Sequence, residues 1–234
     1  MKQIIPLVVV VVLFATGASP RSSGWMESFD KFKNYPYNSW PSDGSKTLPA
    51  PWEDTVSMYA QAGIGHGDTA GASGPGSNWS WGHAFRPTAD MPHIGDALVA
   101  RVFLPANINY ESVMLALTTK KSPGTSGQFA GGAKAVVHIG GGADKGFAKM
   151  SFRTTDPSDK VLGSVSAAPH AFLPAGAWYD VRLILGEDRT IALEYKHVKM
   201  SGWIPVGALT VHDDFHPNYV AISTTRGGRV DDVG

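Results

Sequence analysis

The segment Trp178-Tyr179-Asp180-Val181-Arg182-Leu183-Ile184-Leu185 constrains the fold of this chain more than any other. Tyr179, Val181, Leu183 and Leu185 share one parity, and Asp180 and Arg182 take the other. That is the two-residue period of a strand with one face in a core. Gly186-Glu187-Asp188-Arg189 supplies turn residues, and residues 190–195 alternate again through Ile191, Leu193 and Tyr195, so the pair predicts an antiparallel hairpin. Such a hairpin needs neighbours. Residues 219–223 and 229–233, split by Gly227-Gly228, read as two more strands, and so do 135–139 and 147–153 around the glycine-rich turn 140–146. Residues 97–104 and 112–118 are short and strongly apolar, the pattern of central strands covered on both faces.

Glycines (27) and prolines (16) punctuate the whole chain, and no long segment carries apolar residues at helical spacing. Residues 25–32 predict a first strand, and 56–60 another after the proline- and aromatic-rich loop 34–52. Residues 63–77 are too glycine-rich for a regular element and predict a loop with one short strand inside it. In residues 78–86, Trp79, Trp81, His83 and Phe85 recur at two-residue steps, so a strand there presents two indoles and an imidazole on one side. Pro205 makes 203–206 an edge strand or a turn entry. The sum is about ten to thirteen strands, which predicts an all-β, two-sheet antiparallel β-sandwich. With no linker or repeat to divide it, one domain is expected.

At the N-terminus, Lys2, the apolar run 4–15 and the small residues Thr16-Gly17-Ala18 read as a signal peptide over 1–18, leaving a domain over 19–234. The apolar run is shorter than the roughly 20 residues that span a bilayer, so export to the extracellular space or periplasm, with no membrane attachment after cleavage, is expected. The chain has no cysteine, which excludes disulfides, thiolate metal sites and a lipid anchor on cysteine. Twenty basic and twenty acidic residues cancel and are scattered, so nothing electrostatic points to nucleic acid.

Glu27-Ser28-Phe29-Asp30, the stretch from Ala177 to Leu183, and Tyr219-Val220-Ala221-Ile222-Ser223 leading to Arg229-Val230-Asp231-Asp232-Val233 together carry a likeness. Through them the chain resembles the concanavalin A-like lectin/glucanase superfamily, in particular its laminin-G-like jelly rolls, over nearly all of the sequence after the leader. The resemblance implies a jelly roll whose first and last strands lie side by side. It also implies a structural calcium there, for which Glu27, Asp30, Asp231 and Asp232 offer hard oxygen ligands; alternatively these carboxylates bond loop amides or face solvent. Gly234 follows Val233 directly, so the last strand is short or the chain continues in a longer protein.

These motifs specify strands rather than a reaction. The glucanase branch carries its carboxylates as Glu-x-Asp-x-x-Glu or Glu-x-Asp-x-Glu on one strand, and no such spacing occurs: Glu194 stands alone, Glu187-Asp188 sits in a turn, and the Asp213-Asp214 side chains would diverge on a strand. Jelly-roll polysaccharide lyases need a Tyr or His base and a group that neutralises a uronate; His138, His83, Arg86, Arg101, Arg153, Tyr195 and Gln128 are candidates. Val137-His138-Ile139 resembles the Gln-Ile-His strand of alginate lyases with valine for glutamine, while their arginine-rich and tyrosine-rich motifs are missing. His212 and His216, or His66 and Asp68, lack the context of a metal pair. Glycan binding asks only for exposed rings beside polar groups. Trp40, Trp52, Trp79 and Trp81, with His83 and Arg86, are the residues expected to provide it, though strand tryptophans also fill cores. The reading is therefore a non-catalytic carbohydrate-binding module for a poly- or oligosaccharide, with a polysaccharide lyase and a protein-binding or adhesion domain as the alternatives.

Overall fold

The computed structural model describes residues 27–29, 48, 50–56, 58–61, 63–67, 70–74, 81–88, 94–105, 111–121, 129–141, 148–167, 174–225 and 227–234. In chain order the strands among them are β1 (Glu53–Val56), β2 (Tyr59–Gln61), β3 (Gly71–Ser73), β4 (Gly82–Pro87), β5 (Ala97–Leu104), β6 (Glu111–Thr118) and β7 (Lys134–Gly141). The second half adds β8 (Ala148–Thr155), β9 (Val161–Ser166), β10 (Ala177–Leu185), β11 (Thr190–His197), β12 (Ile204–Thr210), β13 (Tyr219–Thr224) and β14 (Arg229–Asp231). Sheet I runs β1-β4-β13-β6-β7-β8-β9 and sheet II runs β12-β11-β10-β5-β14-β3-β2. Every pairing within them is antiparallel. The two sheets stack as a jelly-roll sandwich, because the apolar faces they turn toward each other cover one another.

Strand parity fixes what each sheet buries. From sheet I, Leu115, Leu117, Val137, Ile139, Phe152, Val220 and Ile222 turn inward; from sheet II, Val102, Leu104, Tyr179, Val181, Leu193 and Tyr195 meet them in one core. The hairpin expected at 178–195 is β10 with β11, in the register Leu185↔Ile191 to Tyr179↔His197. The short strand expected inside 63–77 is β3, and the proline-bearing β12 is an edge of sheet II.

Two expectations need correction, and one strand carried no signal. Residues 56–60 are not one strand: β1 ends at Val56 in sheet I, and β2 starts at Tyr59 in sheet II. β5 is not covered on both faces, since Leu98, Ala100, Val102 and Leu104 are buried while the residues between them are only half-buried. β9 was not anticipated at all, because its two-residue period is broken where Thr154 pairs Gly163 but Thr155 pairs Val161, leaving Leu162 as an extra residue. Of the first strand, residues 27–29 are described: Glu27 and Val233 exchange backbone hydrogen bonds of 2.7 and 3.0 Å, so the two ends of the described chain lie side by side. The leader 1–18 lies outside the described residues.

Candidate functional site

Sheet I has a second apolar surface, on the face turned away from the core. Phe85, Met114, Ala116, Val136, Ala221 and Phe129 form it, with Trp81 and Tyr219 partly buried against it. The register makes this face a grid. One row runs Phe85, Ala221, Ala116, Val136, Arg153, Ser164 across β4, β13, β6, β7, β8 and β9; the next runs His83, Ser223, Met114, His138, Ser151, Ser166. The strands are roughly 4.8 Å apart, so each row offers about one side chain per sugar-ring width. The β4–β13–β6 half is aromatic and apolar, and the β8–β9 half is hydroxyl-bearing with one guanidinium.

His83 is the most unusual group on the face. It is 6 % exposed, its ring lies 6.4 Å from Phe85, and neither nitrogen has a hydrogen-bond partner. Burial lowers its pKa from 6.5, because the imidazolium loses more hydration than the neutral ring. An unsatisfied buried polar group costs about 1–3 kcal/mol. The unfolded chain binds its proton first as pH falls, so this residue's contribution is whole above about pH 6.5 and is lost as pH drops through the lower folded-state value. His83→Phe is therefore expected to raise the melting temperature at neutral pH and to flatten its decline below about pH 6.5. A thermal scan against pH checks both; an unchanged acid limb would remove His83 from this account.

The other expected glycan residues separate. Trp81 and His83 share the outer face of sheet I, as their parity required. Trp52 is buried between the sheets, its ring stacked at 6.0 Å on Phe29. Arg86 has the opposite parity to His83 and stands 3.6 Å from Glu27 in an ion pair. Trp40 and Trp79 lie outside the described residues. Phe129 and Tyr219 were not singled out by sequence; Tyr219 begins a recognised strand, and its parity with Ala221 places it on this face. Of the lyase candidates, His138 and Arg153 lie on this face, Tyr195 is in the core with its phenol pushed up by burial, and Arg101 is on sheet II. Gln128 lies outside the described residues.

The described carboxylates considered for calcium each face an amide or a guanidinium. Asp30 lies outside the described residues. Glu27 accepts the Phe29 amide and faces Arg86; Asp231 accepts the amides of His66 and Asp232; Asp232 accepts Nη1 of Arg101 at 2.7 Å. Among the described residues no three His, Asp or Glu side chains gather as metal ligands. Arg101 ties this corner together by also donating from Nε to Asp180 at 2.7 Å. Its pKa is raised, first by that hydrogen bond and then by the charges of Asp180, Asp232 and Asp231, against an opposing effect of burial.

No protein-family model matches the chain, and no curated protein matches it either. Solved structures do. The exoplasmic/lumenal domain of VIP36, in a form bound to Ca2+ and mannose, is similar with a TM-score of 0.51 at 10 % identity, over 78 % of this chain and 81 % of that one. A legume lectin-like domain from Entamoeba histolytica has a TM-score of 0.47 at 14 % identity, over 70 % and 82 %. Lectin II from Ulex europaeus has 0.40 at 12 %, over 81 % and 88 %. The chain has the concanavalin A-like lectin fold.

Proposed function

We propose that this chain is a secreted glycan-binding module: a signal peptide over 1–18 followed by one jelly-roll domain over 19–234, working outside the cell or in the periplasm without catalysis. The outer face of sheet I carries the reading. Trp81 and Tyr219 are only partly buried there and offer ring edges or faces to a sugar. A neutral or acidic oligosaccharide fits such rings, since its C–H faces stack on them. The fold supports the same reading by analogy, its VIP36 relative having been solved with mannose bound. That relative also holds Ca2+, but calcium has no part in this proposal, because the described carboxylates here face arginines and amides.

The test is affinity electrophoresis of the purified protein through gels containing neutral and uronate polysaccharides, with ultraviolet absorbance followed for new carbon–carbon double bonds. Retardation without absorbance is expected, and Trp81→Ala or Tyr219→Ala is expected to weaken it by about tenfold, the value of one aromatic contact. Rising absorbance would replace the proposal with the lyase reading. Migration unaffected by every polysaccharide would end it.

A further inference from the structure

The β8–β9 half of the outer face contains a compact group of unengaged polar side chains. Ser151 is opposed to Ser166 and Arg153 to Ser164. On the other flank of β8, His138 is opposed to Ser151 and Val136 to Arg153. Met150, Phe152 and Val165 turn into the core between them, which leaves Ser151, Arg153, Ser164 and Ser166 side by side on the outer surface. Directly opposed strand residues have Cβ atoms about 4.5–5.5 Å apart. Beyond the backbone ladder, no side-chain hydrogen bond, ion pair or ring contact is described for these four.

For the arginine that is an exception. Every other arginine or lysine on a strand whose side chain is described has a partner. Arg86 faces Glu27, Arg101 faces Asp180 and Asp232, Lys134 faces Asp159, Arg182 faces Glu194, Lys196 faces Asp180, and Arg229 lies over the Phe103 ring and donates to the Ile64 carbonyl. Two further charged pairs beside the outer face of sheet I also cancel, Lys121 with Glu53 and Lys134 with Asp159. Arg153, on that face, has no such partner described. It is half-buried, so its lack of an anion is not made good by full hydration.

We infer that Arg153, with Ser151, Ser164 and Ser166 around it, forms a subsite for the carboxylate of an acidic sugar; this rests on the glycan reading above. A guanidinium presents a planar fork that takes a carboxylate through two parallel hydrogen bonds. Three hydroxyls beside it donate to or accept from the ring hydroxyls of the same sugar. The ligand class is a uronate-containing polysaccharide, its acidic sugar held at the β8–β9 edge of sheet I, where Ser164 and Ser166 are exposed.

Polygalacturonate and alginate, each beside its methyl ester, are the probes, because esterification removes the charge and keeps the ring. Titration calorimetry at about 50 mM salt limits screening. At least one acid is expected to bind about tenfold more tightly than its ester, the size of one charge-assisted contact. Arg153→Gln should remove that preference while leaving ester binding unchanged, Arg153→Lys should keep part of it, and Arg229→Gln on sheet II should keep it all. Equal binding of acid and ester, or a preference that survives Arg153→Gln, overturns the subsite while the glycan reading stands. If no polysaccharide in either series binds, the subsite falls, and the glycan reading is decided by the neutral polysaccharides.

Discussion

Gly74→Ala is expected to unfold the domain at ordinary temperature, with a loss of more than about 3 kcal/mol. A Cβ at Gly74 would lie 2.3 Å from the Thr224 carbonyl oxygen and 2.8 Å from the Gly82 nitrogen. Both are backbone atoms of sheet I, and neither can swing aside as a side chain would. The Gly74 amide also donates to Thr224 Oγ1, and Gly74 itself follows β3 of sheet II directly. The substitution therefore forces apart a point where the two sheets are joined. Thermal denaturation of Gly74→Ala beside Gly202→Ala is the measurement, because a Cβ at Gly202 meets nothing within 4 Å. The control should melt like the parent; a Gly74→Ala protein that did so too would show that the strands can separate there without cost.

Arg101→Met is expected to cost about 2–3 kcal/mol at neutral pH, somewhat below the 3–5 typical of a fully buried broken pair because the Arg101 side chain is 25 % exposed. The variant leaves Asp180, Asp231 and Asp232 near one another without their shared cation, and Asp180 keeps only Lys196 at 3.6 Å. Protonation relieves that repulsion. The deficit against the parent should thus narrow as pH falls through the carboxylate range, and adding Asp180→Asn should recover part of it. Urea midpoints at pH 7 and about pH 4 decide the matter. A deficit of the same size at both pH values would mean that lost packing of the arginine stem, not charge, is responsible.

What the sequence made legible follows from how strongly each strand alternates. β10 and β11 have one polar and one apolar parity without interruption, and both strand positions and register could be read from Tyr179, Val181, Leu183, Ile191, Leu193 and Tyr195. β9 fails that test because Leu162 is an extra residue and Gly163 contributes no side chain, so Ser164 and Ser166 were invisible as members of a face. The candidate site was half legible for the same reason. Trp81 and His83 fall in a clear two-residue period, and so does Arg86, but on the other parity, where it meets Glu27 instead. Trp52 shows the limit of residue type as a guide: an indole in a polar-looking loop is equally suited to the core, where it stacks on Phe29. No periodicity reveals that Arg153 lacks an anion, because which carboxylate meets which arginine is set by tertiary pairing, as Arg101 with Asp180 shows.

The last two strands occupy interior places in their sheets: β13 lies between β4 and β6, and β14 between β5 and β3. Each joins halves of a sheet made much earlier in synthesis. Until residues 219–231 have left the ribosome, β4 and β1 have no link to the rest of sheet I, and β3 and β2 have none to sheet II. Vectorial synthesis therefore leaves both sheets of this domain open until residues 219–231 arrive, and closes them in one late, long-range step, which is slow by nature.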